Sequence, residues 1–189
     1  MKALVLAGLL SLVLVATAAG GPRPSVWIVK AAPTSIAGSG FAARSRVTVS
    51  YSSAGERTTR RVVTNSLGGF FTILPGASFS RCSGALVTAG KAVMRVLPCA
   101  SPGGLPRVDG NVSGVVSGNA FVPREVVTIT ARVSGKDPQD AVATAGPSGG
   151  FTIDMHLRTP RCASVFFRAR GALGSAATFS TPAPDCRQP

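Results

Sequence analysis

The chain has 189 residues and a formal net charge of +13, because 20 Lys and Arg stand against only 7 Asp and Glu. With four Cys, a single His and no Cys-x-x-Cys pair, the composition excludes a zinc site of the usual kind. The length allows one large or two small domains, and the charge points to anionic partners.

Residues 1–19 have the composition of a secretory signal peptide. Met1-Lys2 supplies a positive start, residues 3–19 carry no charge, and small residues such as Ala16-Thr17-Ala18 end the run. The alternative is an uncleaved anchor, but this run is at the lower limit for crossing about 30 Å of hydrocarbon. We therefore predict a secreted or extracytoplasmic protein, associated with the cell envelope, without a transmembrane segment after cleavage.

Residues 38–82 recur eighty positions later without a net insertion. The matched residues are Gly38, Phe41, Arg44, Val47, Thr48, Thr64, Gly69, Phe71, Thr72, Ile73, Arg81 and Cys82, each with the same residue type eighty positions on. So many agreements at one offset indicate a duplicated module. We predict module 1 over 24–100 and module 2 over 107–187. The Pro- and Gly-rich linker over 101–106 ends any strand or helix and leaves some hinge freedom.

Apolar and polar residues alternate between turn signals through both modules, as in half-buried strands. Between Phe151 and Arg158, for example, Phe151, Ile153, Met155 and Leu157 share one side. Helical periodicity is weak. The pattern predicts six or seven short strands per module, and the economical arrangement is two antiparallel sheets packed face to face. The predicted fold is all-β, with two tandem sandwiches.

The four Cys fall two per module. In an exported chain, an even count that divides with the repeat indicates one disulfide inside each module, although four Cys allow three connectivities. We predict Cys82 with Cys99 and Cys162 with Cys186. Each bridge would contribute about 3 kcal/mol in the chain-entropy model.

Several motifs together resemble bacterial immunoglobulin-like modules of exported proteins from high-GC Gram-positive bacteria. They are Gly38-Ser39-Gly40-Phe41, Val47-Thr48-Val49, a Gly-Gly-Phe hairpin entry and an Arg-Cys pair, with a second copy at residues 118–127. The resemblance implies a scaffold for adhesion, spacing or ligand capture. The antibody-type bridge with its packed Trp is not reproduced, because the Cys lie late in each module. Trp27 is expected in a core or in packing between modules.

The sequence offers little for catalysis or metal binding. Asp154 and His156 share one side of a strand, which is more typical of a solvent face. Gly146-Pro147-Ser148-Gly149-Gly150 matches a nucleophile elbow in form, but a strand follows it where the elbow needs a helix. Residues 137–140 offer two carboxylates, too few oxygens for Ca²⁺. We predict no enzyme, no cofactor and no metal site.

The positive charge is concentrated in module 1, where nine Lys and Arg oppose Glu56 alone. Module 2 has nine against six acids. The candidate anion-binding residues are Arg57, Arg60, Arg61, Arg44, Arg46 and Arg95. Arginine favours bidentate contact with phosphate or carboxylate, so the expected partner is an anionic envelope polymer or a membrane surface. Sequence-specific nucleic-acid binding is not expected. The alternative to an anionic partner is that the arginines reflect amino-acid composition alone and only keep the surface soluble.

Two functional hypotheses follow. The first is a non-catalytic exported structural, adhesion or binding protein at the cell envelope, with a basic face. The alternative is a carrier of a small hydrophobic ligand, because the Gly-rich strand pattern is also similar to neocarzinostatin-like sandwiches. That alternative requires an apolar crevice between strands or between modules.

Overall fold

The computed structural model describes residues 22–101 and 103–182, and this part of the chain is built of short strands. The first half contains β1 (Ser25–Lys30), β2 (Ser35–Ser39), β3 (Arg46–Ser53), β4 (Glu56–Val63), β5 (Phe70–Ile73), a 3-10 turn at Arg81–Ser83, β6 (Ala85–Ala89) and β7 (Ala92–Val96). The second half contains β8 (Arg107–Gly110), β9 (Val115–Asn119), β10 (Val126–Val133), β11 (Gln139–Thr144), β12 (Phe151–Asp154), β13 (Val165–Gly171) and β14 (Ala176–Ser180).

Each half is a sandwich of a three-stranded and a four-stranded sheet. In the first half the strand orders are β1-β2-β5 and β4-β3-β6-β7, and in the second β8-β9-β12 and β11-β10-β13-β14. All paired strands are antiparallel. The prediction of two tandem immunoglobulin-like sandwiches is confirmed. The fourth strand, however, pairs with the third, unlike in constant-type immunoglobulin domains. Among the described residues no helix is long and apolar enough to cross a membrane.

Side-chain alternation places the two cores. Along β3, Val47, Val49 and Tyr51 are buried, whereas Thr48 is exposed. The Tyr51 hydroxyl donates to the carbonyl of Ser78 at 2.9 Å, so the phenol is buried with its polar end satisfied. In the second half, Val127, Ile129 and Ala131 of β10 occupy the corresponding inner positions. The period-2 pattern therefore determines which side of each four-stranded sheet faces the core.

The two halves repeat the same strands. The counterparts of β4 and β5, however, lie eighty-one positions later in the chain, where the sequence match gives eighty. Arg46 pairs with Val63, whereas Val126, eighty positions after Arg46, pairs with Thr144, eighty-one after Val63. The hairpin between β10 and β11 is therefore one residue longer. The offset is eighty again at β6 and β13, since Val49 pairs with Ala89 and Ile129 with Ala169.

This difference of one residue changes which Phe of the first half corresponds to Phe151 of the second. Gly38 pairs with Phe70, and Gly118 pairs with Phe151, so the counterpart of Phe151 is Phe70. The ring of Phe70 lies 5.4 Å from that of Phe41, while Phe71 is 59% exposed on the other side of the sheet. A shift of one residue moves every side chain to the opposite face. The matches at Thr64, Gly69, Phe71, Thr72 and Ile73 are thus wrong by one position.

The predicted disulfide between Cys82 and Cys99 is confirmed. Cys162 is also disulfide-bonded, but its predicted partner Cys186 lies outside the described residues, as do residues 1–21. The pairing of Cys162 with Cys186 and the signal peptide therefore stay predictions.

The register can be tested by truncating the two neighbouring phenylalanines separately. We expect Phe70→Ala to cost about 3–5 kcal/mol in the free energy of unfolding, because it leaves a cavity against Phe41. Phe71→Ala should cost within about 0.5 kcal/mol, because the ring is exposed. Urea denaturation of the two variants measures both values. A larger loss for Phe71→Ala would restore the uniform offset of the sequence match.

Candidate functional site

Four arginines share the outer side of the first half's four-stranded sheet. Arg46 lies on β3, Arg57 and Arg61 on β4, and Arg95 on β7, and all four side chains are exposed. They alternate with the inward residues of the same strands, so they point away from the core. We call this outer side of β4-β3-β6-β7 the basic face.

Strand pairing sets the spacing of the basic face. Arg57 on β4 pairs with Ser52 on β3, Ser52 pairs with Leu86 on β6, and Leu86 pairs with Arg95 on β7. Arg57 and Arg95 therefore lie three strand spacings, or about 14 Å, apart. Arg57 and Arg61 are four residues apart on one strand, or about 13 Å. The face therefore presents separated charges over an area wide enough for an extended ligand.

Side chains with hydroxyl groups lie between these arginines on the sheet. Thr48, Ser50, Ser52, Thr59 and Thr88 all lie on the basic face. A shallow groove of about 180 Å³ runs over Ser50, Ser52 and Leu86 beside Arg57. Glu56, the single acid of the first half, lies on the other side of β4, as its pairing with the inward-facing Ser53 shows. An anion on this face meets donors and no opposing carboxylate from the described residues.

Two of the six candidate arginines lie elsewhere. Arg60 is on the opposite side of β4, and its Nη1 donates to the carbonyl of Ile73 at 2.5 Å, which ties the edges of the two sheets together. Arg44 is exposed in the loop before β3, with a φ of 50°. The structure thus groups Arg46, Arg57, Arg61 and Arg95.

The second half carries a weaker version of the same face. Its outer side of β11-β10-β13-β14 presents Arg132, Arg168 and Arg170 together with Asp140. These arginines lie on the inner strands β10 and β13, whereas those of the first half lie mainly on the edge strands. Positive charge therefore recurs on this side of both halves at positions that the repeat does not match.

Arg81 joins the two halves. Its side chain is only 6% exposed. Its Nη1 donates to the carbonyl of Leu97 at 2.7 Å, and its Nη2 donates to the carbonyls of Gly104 and Ala120, both at 2.5 Å. Burial lowers the pKa of Arg81, and the Glu125 carboxylate opposes that shift. The guanidinium stays charged, since arginine does not lose its proton in proteins.

The second half contributes a buried carboxylate at the same place. Glu125 is 1% exposed and accepts hydrogen bonds from the backbone N–H groups of Val122, Leu173 and Ser175. A side chain at Gly171 would collide with this carboxylate, so the glycine makes room for it. Val122 and Leu173 in turn pack into the core of the first half. We call these contacts between the halves the junction, and through them the halves touch each other directly as well as being joined by the linker.

Trp27 also lies at the junction. The Arg124 guanidinium stacks over its ring at 4.2 Å from the centroid, and Arg124 Nη2 donates to Ser25 Oγ at 3.3 Å. A cation over an indole is attracted by the ring quadrupole, by about 0.5–1 kcal/mol at exposed sites. The expected packing role of Trp27 between modules is what the structure shows.

The residues considered for catalysis do not form a catalytic site. His156 Nδ1 lies 3.2 Å from Asp154 Oδ2, and both side chains are well exposed. Ser148 precedes β12 and Asp154 ends it, so three residues of strand at about 3.3 Å each, together with two glycines, lie between them in the chain. A nucleophile and its base need hydrogen-bond contact. Among the described residues, no three His, Cys, Asp or Glu side chains converge on a metal position.

No protein-family model and no curated protein matches the chain. Among solved structures, it is similar to a tetra-tandem repeat in the extending region of a large adhesion protein, with a TM-score of 0.37 and 18% identity over 86% of this chain and 49% of that one. It is also similar to the BSP domain of a biofilm-associated protein, with a TM-score of 0.31 and 14% identity over 88% and 30% of the two chains. A third is a two-domain fibronectin type III segment from chicken tenascin, with a TM-score of 0.29 and 9% identity over 84% and 97%.

The chain spans about half of the adhesion-protein structure and about a third of the biofilm-protein structure. With TM-scores this low, the similarities say nothing of what the chain binds.

The junction offers a test with a matched control inside the chain. Arg81→Ala should cost about 3 kcal/mol or more, because it removes a charged donor and leaves the carbonyls of Leu97, Gly104 and Ala120 without it. Arg161, eighty positions on, is exposed, so Arg161→Ala should change the free energy of unfolding by about 0.5 kcal/mol or less. Equal losses in chemical denaturation would show that Arg81 does not hold the halves together.

Proposed function

We propose that the chain is a non-catalytic exported binding module whose basic face holds an anionic polymer of the cell envelope. One observation carries the proposal: the basic face presents Arg46, Arg57, Arg61 and Arg95 with no acid among them. The proposal includes the signal peptide at residues 1–19 and the module bounds 24–100 and 107–187. It also includes the likeness to immunoglobulin-like modules of high-GC Gram-positive bacteria.

Three features support export and a non-catalytic role. The disulfide between Cys82 and Cys99 is typical of oxidising compartments outside the cytoplasm. The chain is an all-β scaffold in which Ser148 lies apart from Asp154 and His156. Loops of the four-stranded sheet are short, so the sheet presents a broad and open surface, which suits a polymer better than a small substrate.

The chemistry of the basic face favours an extended polyanion. Arg57 lies about 13–14 Å from both Arg61 and Arg95, and the Ser and Thr hydroxyls between them can exchange hydrogen bonds with a polar chain. Bidentate arginine contacts suit carboxylate and phosphate groups. A polymer with an acidic group on successive units can reach several arginines at once, so weak contacts add up.

The hydrophobic-carrier alternative is less well supported. The space at the junction is lined by Arg81 and Arg95 as well as by apolar residues. A purely apolar ligand there would bury these charged groups without a counter-charge, which is costly. The cavity at the junction is therefore a poor site for such a ligand.

The full-length chain is the right material for a test, because Val122 and Leu173 of the second half complete the core of the first. Replacing Arg46, Arg57 and Arg61 together with Gln should weaken binding to polygalacturonate about tenfold or more. Exposed ion pairs contribute up to about 1 kcal/mol each, and about 1.4 kcal/mol is a factor of ten. Binding of the parent chain should fall steeply as salt rises, since exposed charges are screened over about 8 Å at physiological ionic strength.

The control removes the same charge from elsewhere on the chain. Arg107, Arg158 and Arg161 are exposed and lie off the basic face, so the corresponding triple Gln variant should bind nearly as well as the parent. The melting temperatures of both variants should stay close to that of the parent. Equal weakening in both variants would mean that net charge alone attracts the polymer. Binding only to vesicles containing phosphatidylglycerol would assign the face to a membrane surface.

A further inference from the structure

The junction contains a second candidate binding site, which is partly open to solvent. A cavity of about 330 Å³ is bounded on one side by Arg81, Arg95 and Leu97 and on the other by Asn119 and Ser148. A neighbouring cavity of about 200 Å³ reaches Trp27 and Arg124. Both are lined by Arg95, Pro123 and Pro147, so they meet along one wall. We call the pair the junction cleft.

The polar groups of the junction cleft favour an anion. Arg81, Arg95 and Arg124 all line it, and no acidic side chain of the described residues does. The Nε atom of Arg81 is closed off from solvent, and its Nη atoms donate to three carbonyls, so Arg81 contributes positive charge to the cleft wall rather than a free donor. The carboxylate of Glu125 is occupied by backbone N–H groups. The exposed side chains of Arg95 and Arg124 are therefore the groups that can contact an anion in the cleft.

The remaining walls favour a small body with a flat or apolar side. Pro123 and Pro147 present ring surfaces beside the stacked pair of Trp27 and Arg124, and Asn119 and Ser148 add neutral hydrogen-bonding groups. Ligand sites often lie between domains, and the larger cavity is at the lower end of the usual size range of about 300–1,000 Å³. The space therefore suits a ligand of monosaccharide size.

We propose that the junction cleft binds a single acidic sugar unit, carrying a carboxylate or a phosphate, through Arg95 and Arg124 with its ring against the Pro walls. Arg95 belongs both to the basic face and to the cleft. This proposal deepens the proposed function and rests on it: a polymer on the basic face would place its terminal unit in the cleft. The cleft gives the module a site for a chain end, which the open sheet does not provide.

The chain contains one Trp, and this residue lines the cleft, so its fluorescence reports ligand entry without a label. Titration of the full-length protein with glucuronate or glucose 6-phosphate at constant ionic strength should change Trp27 emission saturably. Glucose, which lacks the charge, should give no saturable change. A response to only one of the two acids identifies the group that the cleft recognises.

The repeat supplies a variant that blocks the cleft without touching a charge. The carbonyl of Gly149 accepts a hydrogen bond from the N–H of Phe121, and the carbonyl of Gly68 accepts the equivalent one from Phe41. The residues before these glycines, Ser148 and Leu67, therefore occupy the same turn position. Leu67 is 88% exposed, which shows that this turn accepts a bulky side chain. Ser148→Leu should therefore fold normally and lower the affinity for the acidic sugar about tenfold or more. Leu67→Ser, outside the cleft, is the matched control and should bind like the parent.

Isothermal titration calorimetry measures the same binding independently of Trp27. The proposal is overturned if neither acid binds the parent chain, or if Ser148→Leu binds as tightly as the parent. The triple Gln variant of Arg46, Arg57 and Arg61 separates the two proposals, because none of these residues lines the cleft. It should lose polymer affinity and keep its affinity for the single acidic sugar. If the sugar binds the cleft while the polymer ignores the basic face, the cleft stands and the proposed function fails.

Discussion

The buried guanidinium of Arg81 is the contact on which the arrangement of the two halves depends. A charged group that is 94% removed from solvent is tolerated only where acceptors surround it, and Arg81 finds them in carbonyls of the first half, the linker and the second half. Removing any of the three segments would leave the charge poorly satisfied. The same segments form walls of the junction cleft, so the cleft exists only while Arg81 holds them together.

The burial of Arg81 and Glu125 is not repeated at the equivalent positions of the other half. At the position eighty residues before Glu125 the first half has Ser45, and eighty residues after Arg81 the second half has an exposed Arg161. The contact between the halves therefore depends on residues that differ between the two copies of the module. In the second half, Gly171 leaves room for the Glu125 carboxylate.

Much of the fold could be predicted from the sequence, because strand alternation and turn residues are local signals. The error in the repeat arose at Phe70 and Phe71, where two identical residues fit either register and only the length of a distant hairpin decides between them. The basic face was partly accessible: Arg57 and Arg61 are an even number of residues apart and share a side of β4, whereas Arg60 does not. The inclusion of Arg95 depends on sheet order, which no local pattern reveals.

The junction was beyond sequence reasoning for a physical reason. Arginine is seldom fully buried, so nothing in the Arg81-Cys82 pair distinguishes it from the exposed Arg161-Cys162 pair. The burial follows from tertiary contacts with residues 23 and 39 positions away. The cleft beside it was equally hidden, because its walls come from both halves of the chain.

The most direct measurement is an NMR titration of the arginine side-chain Nε–H signals of the full-length protein with polygalacturonate. We expect shifts at Arg46, Arg57, Arg61 and Arg95 and, where the terminal unit enters the junction cleft, at Arg124, with Arg107, Arg158 and Arg161 unchanged. The Arg81 signal should persist in slow exchange with solvent, as expected for a buried donor. Shifts spread evenly over all exposed arginines, or an Arg81 signal that exchanges as fast as theirs, would contradict the account.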